Sequence, residues 1–267
     1  MIPIVSVVIT SYNRVNSIEQ SIQSVLSQVT NFDFEVIIVD DGSNDESQSV
    51  IEKYSCYNQV RIFLEDHKGL MPTYLKAFFK CKGKYVAVCD SDDYWIDPNK
   101  LQKQVDCMEE NIMVAACFTR ARGLKETGEF FDVELPPQQL SFNVMLKGGH
   151  MFSPTLMMRL DCLKYFWNTL ENKRFKIWDY PLYLYISYYF KIAYLNDVTA
   201  VWRIREESYS NTRQRKRRLN YILILFRIKL YFILKYGCKL KTLLYVIGYR
   251  FPRDIYSLIF KRWYREN

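Results

Sequence analysis

The chain has 267 residues, of which 49% are hydrophobic and 25% charged, and these proportions exclude a mainly disordered protein. Its net charge of +8 is unevenly distributed, since residues 211–267 carry 15 Lys and Arg against two acidic residues, whereas residues 1–210 are net acidic. The seven cysteines form no CxxC pair, and the N-terminus lacks the succession of basic, apolar and small residues that makes up a signal peptide. These features predict reduced thiols in a cytosolic protein.

Short apolar or β-branched runs in the first hundred residues predict strands at 4–10, 34–41, 60–65 and 84–90. Their near-continuous apolarity is typical of strands that are buried on both faces. Helical spacing between the first two runs, with Asn16 as the expected N-cap and Glu19 three residues later, predicts a β-α-β unit. The same spacing recurs at 44–54 and 71–80. The sequence therefore predicts an α/β fold with a mostly parallel central sheet flanked by helices.

Polar side chains end three of the predicted strands. The first run ends at Thr10, the second at Asp40 and Asp41, and the fourth in the acidic segment 90–93. Because ligands of open α/β sheets bind beyond the carboxyl ends of the strands, we expect these carboxylates to meet at one edge. Like charges at that distance repel, so one carboxyl must be protonated or a cation must sit among them. A hard divalent ion with oxygen ligands would supply the charge.

The sequence lacks the two common phosphate-binding loops, GxGxxG after the first strand and GxxxxGK[ST] anywhere. A metal that bridges an Asp-x-Asp to a diphosphate would hold phosphates instead, and residues 90–92 provide that pattern. The alternative is a solvated acidic loop that caps a helix at 97–110. Neither His67 nor His150 has a partner spacing that indicates a metal site, so we expect structural roles for both.

Three segments of the chain resemble the successive motifs of the family 2 inverting glycosyltransferases. They are VSVVITSYNR at 5–14, FEVIIVDDGSNDES at 34–47 and GKYVAVCDSDDYW at 83–95. The resemblance is close over residues 4–100 and looser to about residue 211. It implies the Rossmann-like, A-type glycosyltransferase fold and a nucleotide-sugar donor. The three segments resemble those of bacterial enzymes of surface-polysaccharide synthesis.

The resemblance implies a donor site at Thr10, Tyr12, Asp41, Lys68, Asp90, Ser91, Asp92 and Arg205. Tyr12 is expected to stack on the base, Asp41 to accept a hydrogen bond from it, and Asp92 to bind Mn²⁺ or Mg²⁺. Packing is the alternative for Tyr12, and a turn or helix cap is the alternative for Asp41. Arg205 stands where many relatives have a histidine. Arginine grips a diphosphate bidentately, although a surface position is the alternative.

Inversion by direct displacement needs a carboxylate that takes the proton of the acceptor hydroxyl. Asp179 resembles the later acidic motif of the family in its Trp-Asp form, so we expect it to be the base. Desolvation by Trp178 would raise the pKa of Asp179. The alternative is that Asp179 caps the following helix, which has Pro181 in its first turn. The two roles can coexist.

We expect residues 1–106 to form the nucleotide-sugar-binding half and residues 107–210 the acceptor-binding and catalytic half of one domain. In residues 211–267 the best apolar run, 219–234, is interrupted by two cations, so we do not expect it to span a membrane. We expect a basic amphipathic helical tail that lies on an anionic membrane surface. Nucleic-acid binding and folding back as a helical cap are the alternatives.

These features predict a metal-dependent inverting glycosyltransferase that moves one hexosyl or N-acetylhexosaminyl group, with UDP as the expected carrier. The expected acceptor is a glycan, lipid-linked and destined for capsule, O-antigen or exopolysaccharide. The expected location is the cytoplasmic face of the cell membrane, and we expect no nucleic-acid partner. The alternatives are a protein glycosyltransferase and a catalytically silent nucleotide-sugar-binding membrane adaptor.

Overall fold

The computed structural model describes residues 2–133, 140–148, 151–168, 175–205 and 214–260. One mixed sheet runs through these ranges, and its strands are β1 Val5–Ser11, β2 Phe34–Asp40, β3 Val60–Leu64, β4 Tyr85–Val88, β5 Tyr94–Trp95, β6 Val114–Leu124, β7 Phe130–Asp132, β8 Leu156–Arg159 and β9 Lys191–Arg203. The strand order is β3-β2-β1-β4-β8-β6-β9-β5, and β7 pairs with β6. The four strands β3, β2, β1 and β4 are parallel, whereas β8 runs antiparallel to both β4 and β6.

The α-helices among the described residues are α1 Ile18–Leu26, α2 Ser47–Glu52, α3 Leu70–Lys80, α4 Lys100–Glu109, α5 Phe142–Gly148, α6 Leu160–Asn168, α7 Asp179–Tyr189, α8 Arg215–Tyr236, α9 Leu240–Leu244 and α10 Phe251–Phe260. The N-cap expected at Asn16 is wrong by one residue, since Ser17 takes that position. The N–H groups of Ser17 and Ile18 both bond to the carbonyl of Arg14, so a turn occupies Asn16 before the helix begins.

Both faces of the central strands are buried, as their continuous apolarity predicts. Val8 and Ile37 point into one core cluster, which α3, α5, α6 and α7 cover. Val7 and Ile38, their neighbours along the strands, point into a second cluster under α1 and α4. The expectation of a central sheet flanked by helices is confirmed. The cysteines are free thiols, and Cys56 is exposed rather than in the core.

The tail folds back onto the domain. Ile228 and Phe232 of α8 are buried in the larger core cluster. The ring of Phe232 lies 6.4 Å from that of Phe142, and the ring of Tyr236 lies 4.2 Å from that of Tyr188 on α7. The inner face of α8 therefore fits the helical-cap alternative. Within the described ranges, the model contains no helix that is both long enough and apolar enough to cross a bilayer.

Lys229 is the buried cation of α8. Its side chain is 7% exposed, and its ammonium group lies 5.8 Å from the centre of the Tyr180 ring. Among the described residues Lys229 makes no ion pair within 4 Å, although the charge of Asp254 acts on it from farther away. Burial and the nearby Arg250 cation lower the pKa of Lys229 from its ordinary value of 10.5 to about 8. The protonated form is therefore less stable in the folded chain than in the unfolded chain.

Lys229→Met is expected to stabilise the protein by about 2 to 3 kcal/mol at pH 7, because it removes a buried charge and keeps the apolar stem. The gain should be largest below pH 8 and should shrink as the pH rises towards 10.5, where Lys229 is neutral in both states. Urea unfolding across this pH range measures it. Lys241→Met is the control, since Lys241 is exposed on the same tail and should change stability little. A destabilised Lys229→Met variant would contradict the expectation.

Candidate active site

Asp40 shapes the turn that follows β2. Its carboxylate is fully buried and accepts hydrogen bonds from the Ser43 amide at 2.8 Å, the Ser43 hydroxyl at 2.6 Å and the Gln48 amide at 2.9 Å. Gly42 within this turn has φ +71, and a Cβ there would lie 2.7 Å from the backbone nitrogen of His67. The turn after β2 thus presses closely against the loop after β3.

Asp41 anchors the loop that leads from β3 to α3. Its two carboxylate oxygens accept the amides of Lys68 at 2.8 Å and Gly69 at 2.9 Å, and its Oδ2 lies 2.9 Å from His67 Nδ1. The His67 ring in turn stacks on Tyr12 at a centroid distance of 4.2 Å. Tyr12, Asp41 and His67 therefore form one connected group at the carboxyl ends of β1, β2 and β3.

Asp90 connects the parallel strands with the later part of the chain. One of its oxygens accepts the hydroxyl of Tyr74 from α3, and the other accepts the hydroxyl of Ser153, which precedes β8. Burial raises the pKa of Asp90 to about 7, and the negative charges of Asp92 and Asp179 add to the rise. Neutral hydroxyl partners suit a carboxyl group in such surroundings, because they can hydrogen-bond to its charged or its neutral form.

Asp92 has cationic neighbours. Its Oδ2 lies 3.4 Å from Arg14 Nε and 3.5 Å from Arg205 Nε, and its side chain is 24% exposed. The Arg205 guanidinium is also fixed by a hydrogen bond of 3.0 Å to the Ser17 hydroxyl. The contact with Asp92 places Arg205 beside the Asp-x-Asp segment rather than on a remote surface. Two guanidinium groups thus offset the acidic charge at the end of β4.

The end of β9 is hydrogen-bonded to the acidic segment at residues 90–93. Arg203 donates its backbone N–H to the buried Asp93 carboxylate at 2.8 Å, and its guanidinium donates to the carbonyl of Asp92 at 2.7 Å. The same guanidinium lies 4.6 Å from the centre of the Tyr94 ring. Burial and the charges of Asp92 and Asp90 raise the pKa of Asp93 well above its ordinary value. Asp93 is therefore a structural carboxyl group.

Asp179 is the first residue of α7, and its charge acts on Asp90. Its Oδ1 accepts the N–H of Tyr180 at 2.8 Å, while Trp178 before it provides no side-chain cap. Burial raises the pKa of Asp179. The Trp178 ring lies 4.5 Å from that of Tyr74, whose hydroxyl holds Asp90. One aromatic contact thus joins the supports of Asp90 and Asp179.

The acidic residues at 90–93 fit a metal site to which the protein contributes one ligand. Both oxygens of Asp90 and one oxygen of Asp93 accept hydrogen bonds, whereas Asp92 is partly exposed and makes long contacts to arginines. Among the residues that the structure describes, no group of three His, Cys, Asp or Glu side chains is close enough to hold an ion. Mg²⁺ and Mn²⁺ sites often combine one or two carboxylates with substrate phosphates and water. Asp92 meets that minimum.

A family model described as glycosyl transferase family 2 matches residues 6–167, more than half of the chain. The chain belongs to glycosyltransferase family 2. Among relatives, TuaG of Bacillus subtilis, a glycosyltransferase assigned to teichuronic acid biosynthesis, is 33% identical over 159 residues. The match spans 58% of this chain and 62% of TuaG. A second relative, an uncharacterised Mycobacterium tuberculosis protein, is matched over 46% of its length. The chain thus covers less than two thirds of these relatives.

Solved structures share the fold over nearly the whole chain. Residues 1–349 of S. aureus TarS in complex with UDP-GlcNAc match with a TM-score of 0.68 at 19% identity, covering 95% of this chain and 72% of that one. The mannosyltransferase PcManGT of Pyrobaculum calidifontis, in complex with GDP-Man and Mn²⁺, matches with a TM-score of 0.67 at 15% identity, covering 96% and 73%. The predicted A-type glycosyltransferase fold is confirmed.

The fold brings most of the predicted donor-site residues of this family 2 member to one sheet edge. Thr10 and Ser91 are buried there, and the Lys68 side chain is exposed on the neighbouring loop. His150 lies outside the described residues. Sequence reasoning missed five residues that contact the predicted ones: Arg14, His67, Tyr74, Ser153 and Arg203. Arg14 had a signal, since it ends the first motif two residues after Tyr12.

Gly42→Ala is expected to destabilise the protein by at least about 1 kcal/mol more than Gly128→Ala. Both glycines have positive φ, so both variants carry backbone strain, but a Cβ at Gly128 meets no atom within 4 Å. The difference measures the clash with His67, and urea unfolding of the two variants reports it. An equal loss of stability in both would show that the turn and the loop are not in close contact.

Proposed function

We propose that the protein is an inverting glycosyltransferase that moves one sugar from a nucleotide-sugar donor to a glycan acceptor. The observation that carries the proposal is the contact between the supports of Asp90 and Asp179, since Tyr74, whose hydroxyl holds Asp90, has its ring 4.5 Å from that of Trp178, the residue before Asp179. One carboxyl group comes from the strand that carries the Asp-x-Asp, and the other from the helix expected to face the acceptor. A donor held by the first would present its anomeric carbon to a hydroxyl held by the second.

The donor is expected to lie along the edge formed by β1, β2 and β4. Tyr12 would stack on the base, and Asp41 with its loop would line the base pocket, while Asp90 would face the sugar. TarS binds UDP and UDP-GlcNAc, and PcManGT binds GDP-Man. These ligands support a nucleotide-sugar donor here, with UDP as our choice of carrier.

The diphosphate would lie against Asp92 and the two arginines beside it. A divalent ion held by Asp92 would supply positive charge for the departing diphosphate. Arg14 and Arg205 would bind the phosphate oxygens by charge-assisted hydrogen bonds. Asp179 would take the proton of the acceptor hydroxyl as that oxygen attacks the anomeric carbon, which needs no covalent intermediate. Burial of Asp179 favours this role, because a raised pKa makes a carboxylate a stronger base.

The acceptor is expected to be a lipid-linked glycan at the cytoplasmic face of a membrane. Large apolar side chains are exposed around the junction of α8 and α9, including Leu234 at 78% exposure, together with Leu240 and Leu244. Exposed lysines lie among them at 235, 239 and 241. Leucine next to lysine is the combination that anionic membrane surfaces attract. TuaG supports a surface polysaccharide as the product class.

A nucleotide-sugar binder without catalysis is the second candidate, and a protein acceptor is the third. The partly buried carboxyl group of Asp179 argues against the silent binder, because withdrawing an ionisable group from water raises its pKa and costs free energy that binding alone does not require. No residue of the described site favours a protein over a glycan acceptor.

Calorimetric titration with UDP, GDP and their sugars, with and without Mn²⁺, tests the proposal. The wild type is expected to bind one nucleotide class more tightly with Mn²⁺ than without it. Asp92→Asn should bind that nucleotide equally with and without Mn²⁺, because it removes the carboxylate charge that would bind the ion. Asp179→Asn should bind the donor within about twofold of wild type but lose about 10²- to 10⁴-fold in turnover.

The turnover of the wild type should rise with pH through a pKa above the ordinary aspartate range, because Asp179 must ionise to accept a proton.

Asp106→Asn is the control for these variants, because Asp106 is an exposed carboxylate on α4. It should match the wild type in binding and turnover. Full turnover by Asp179→Asn would show that another group is the base. A folded wild type that binds none of the nucleotides would favour a function without a nucleotide donor.

Leu234→Glu combined with Leu244→Glu is expected to reduce binding to vesicles that contain anionic lipid by at least about tenfold, since it places negative charge on the exposed apolar surface. Vesicle sedimentation at low and high salt measures the change. Ile112→Glu is the matched control, because Ile112 is 81% exposed but lies between α4 and β6 in the body. A wild type that leaves anionic vesicles unbound would contradict membrane association.

A further inference from the structure

Helix α7 carries a second polar group on the same side as Asp179. Tyr183 follows Asp179 by four residues, a spacing that places two side chains on one face of a helix. Its side chain is 3% exposed, so the hydroxyl is buried with the ring. The Tyr183 hydroxyl has no hydrogen-bond partner among the residues that the structure describes. A buried hydroxyl that lacks a partner is costly, and most such groups in proteins are paired.

The ring of Tyr183 is fixed by its aromatic neighbours. Phe118 of β6 meets it edge to face at a centroid distance of 5.3 Å and an interplanar angle of 89°. Trp178 lies on another side at 6.4 Å and 72°. The rigid ring therefore sets the direction of the hydroxyl. The surroundings of the hydroxyl belong to the same site, since Trp178 also lies 4.5 Å from the ring of Tyr74, whose hydroxyl holds Asp90, and the charges of Asp179 and Asp90 act on the Tyr183 hydroxyl.

The nearby carboxylates already have partners. Asp90 accepts the hydroxyls of Tyr74 and Ser153, one on each oxygen. Asp179 accepts the N–H of Tyr180 on Oδ1, and its other oxygen is the one expected to face the acceptor hydroxyl. We expect the missing partner of Tyr183 to be a ligand group beside these two carboxylates. Under the proposed mechanism the transferred sugar occupies that position.

We propose that Tyr183 is a sugar-binding residue whose hydroxyl donates a hydrogen bond to a hydroxyl group of the sugar that is transferred. This inference rests on the proposed function, because it requires a nucleotide-sugar in the pocket. The ligand contact is with the sugar and not with the nucleotide, whose expected binding groups lie at the ends of β1 and β2. Tyr183 therefore contributes to the choice of sugar.

Tyr183→Phe separates this role from packing, because it removes the hydroxyl and keeps the ring. Calorimetry would compare UDP with UDP-glucose and UDP-N-acetylglucosamine, and GDP with GDP-mannose, on the full chain. We expect Tyr183→Phe to bind the nucleotide diphosphate like the wild type and the matching nucleotide-sugar about three- to tenfold more weakly. A structural defect would weaken both ligands alike.

Tyr194→Phe is the matched control. The Tyr194 hydroxyl is also buried without a partner among the described residues, but Arg120 is its charged neighbour and it lies on β9. This variant should bind both ligands like the wild type. Equal weakening of nucleotide and nucleotide-sugar by Tyr183→Phe, or no weakening of either, would overturn the inference while the proposed function stands. If the folded wild type binds no nucleotide, the proposed function and this inference both fail.

Discussion

Carboxylates gather at the carboxyl ends of β2 and β4, on either side of β1, and the arrangement of the site depends on how their charges are offset. Neighbouring strands lie about 4.8 Å apart, so the ends of β2 and β4 are about 10 Å apart across β1 and cannot separate further without breaking the sheet. The chain gives each carboxylate its own partners instead. Backbone amides of one loop hold Asp41, hydroxyl groups hold Asp90, and arginines face Asp92. Because these partners come from separate segments, offsetting the charges also assembles the pocket.

The partners of Asp90 and Asp92 differ in kind, and the difference suits the two parts of the proposed donor. Asp90 is held by neutral hydroxyls and has a pKa raised to about 7, whereas Asp92 lies beside two guanidinium groups. A sugar is neutral and offers hydroxyls, while a diphosphate is anionic and needs cations. Two carboxyl groups that are two residues apart can therefore take different roles because their surroundings differ, as in other sites that pair carboxyl groups.

The sequence predicts what is local, and it misses what requires distant segments to meet. The strands and their buried faces follow from apolar runs of six to eight residues, so the parallel part of the sheet and the edge where Asp41 and Asp90 lie were predictable. Tyr74 and Ser153 belong to ordinary helical or turn sequences, and they meet Asp90 only when α3 and the segment before β8 pack around it. The tail was ambiguous for another reason. An apolar helical face suits a membrane and a protein core equally well, and α8 has an inner face in the core and exposed leucines at its end.

The donor and acceptor sides of the pocket depend on different parts of the chain. The family match ends at residue 167, so it includes Asp41, Asp90 and Asp92 but not Asp179. The position of Asp179 follows from how α7 is held. Tyr180 donates its hydroxyl to the carbonyl of Met145 on α5, and α8 packs against α7 through the rings of Tyr236 and Tyr188. The helix with the expected base is thus held by α5 and by the tail, and the same tail exposes the surface proposed to meet the membrane. Contact with a membrane would therefore act on the side of the pocket where the proposed lipid-linked glycan would enter.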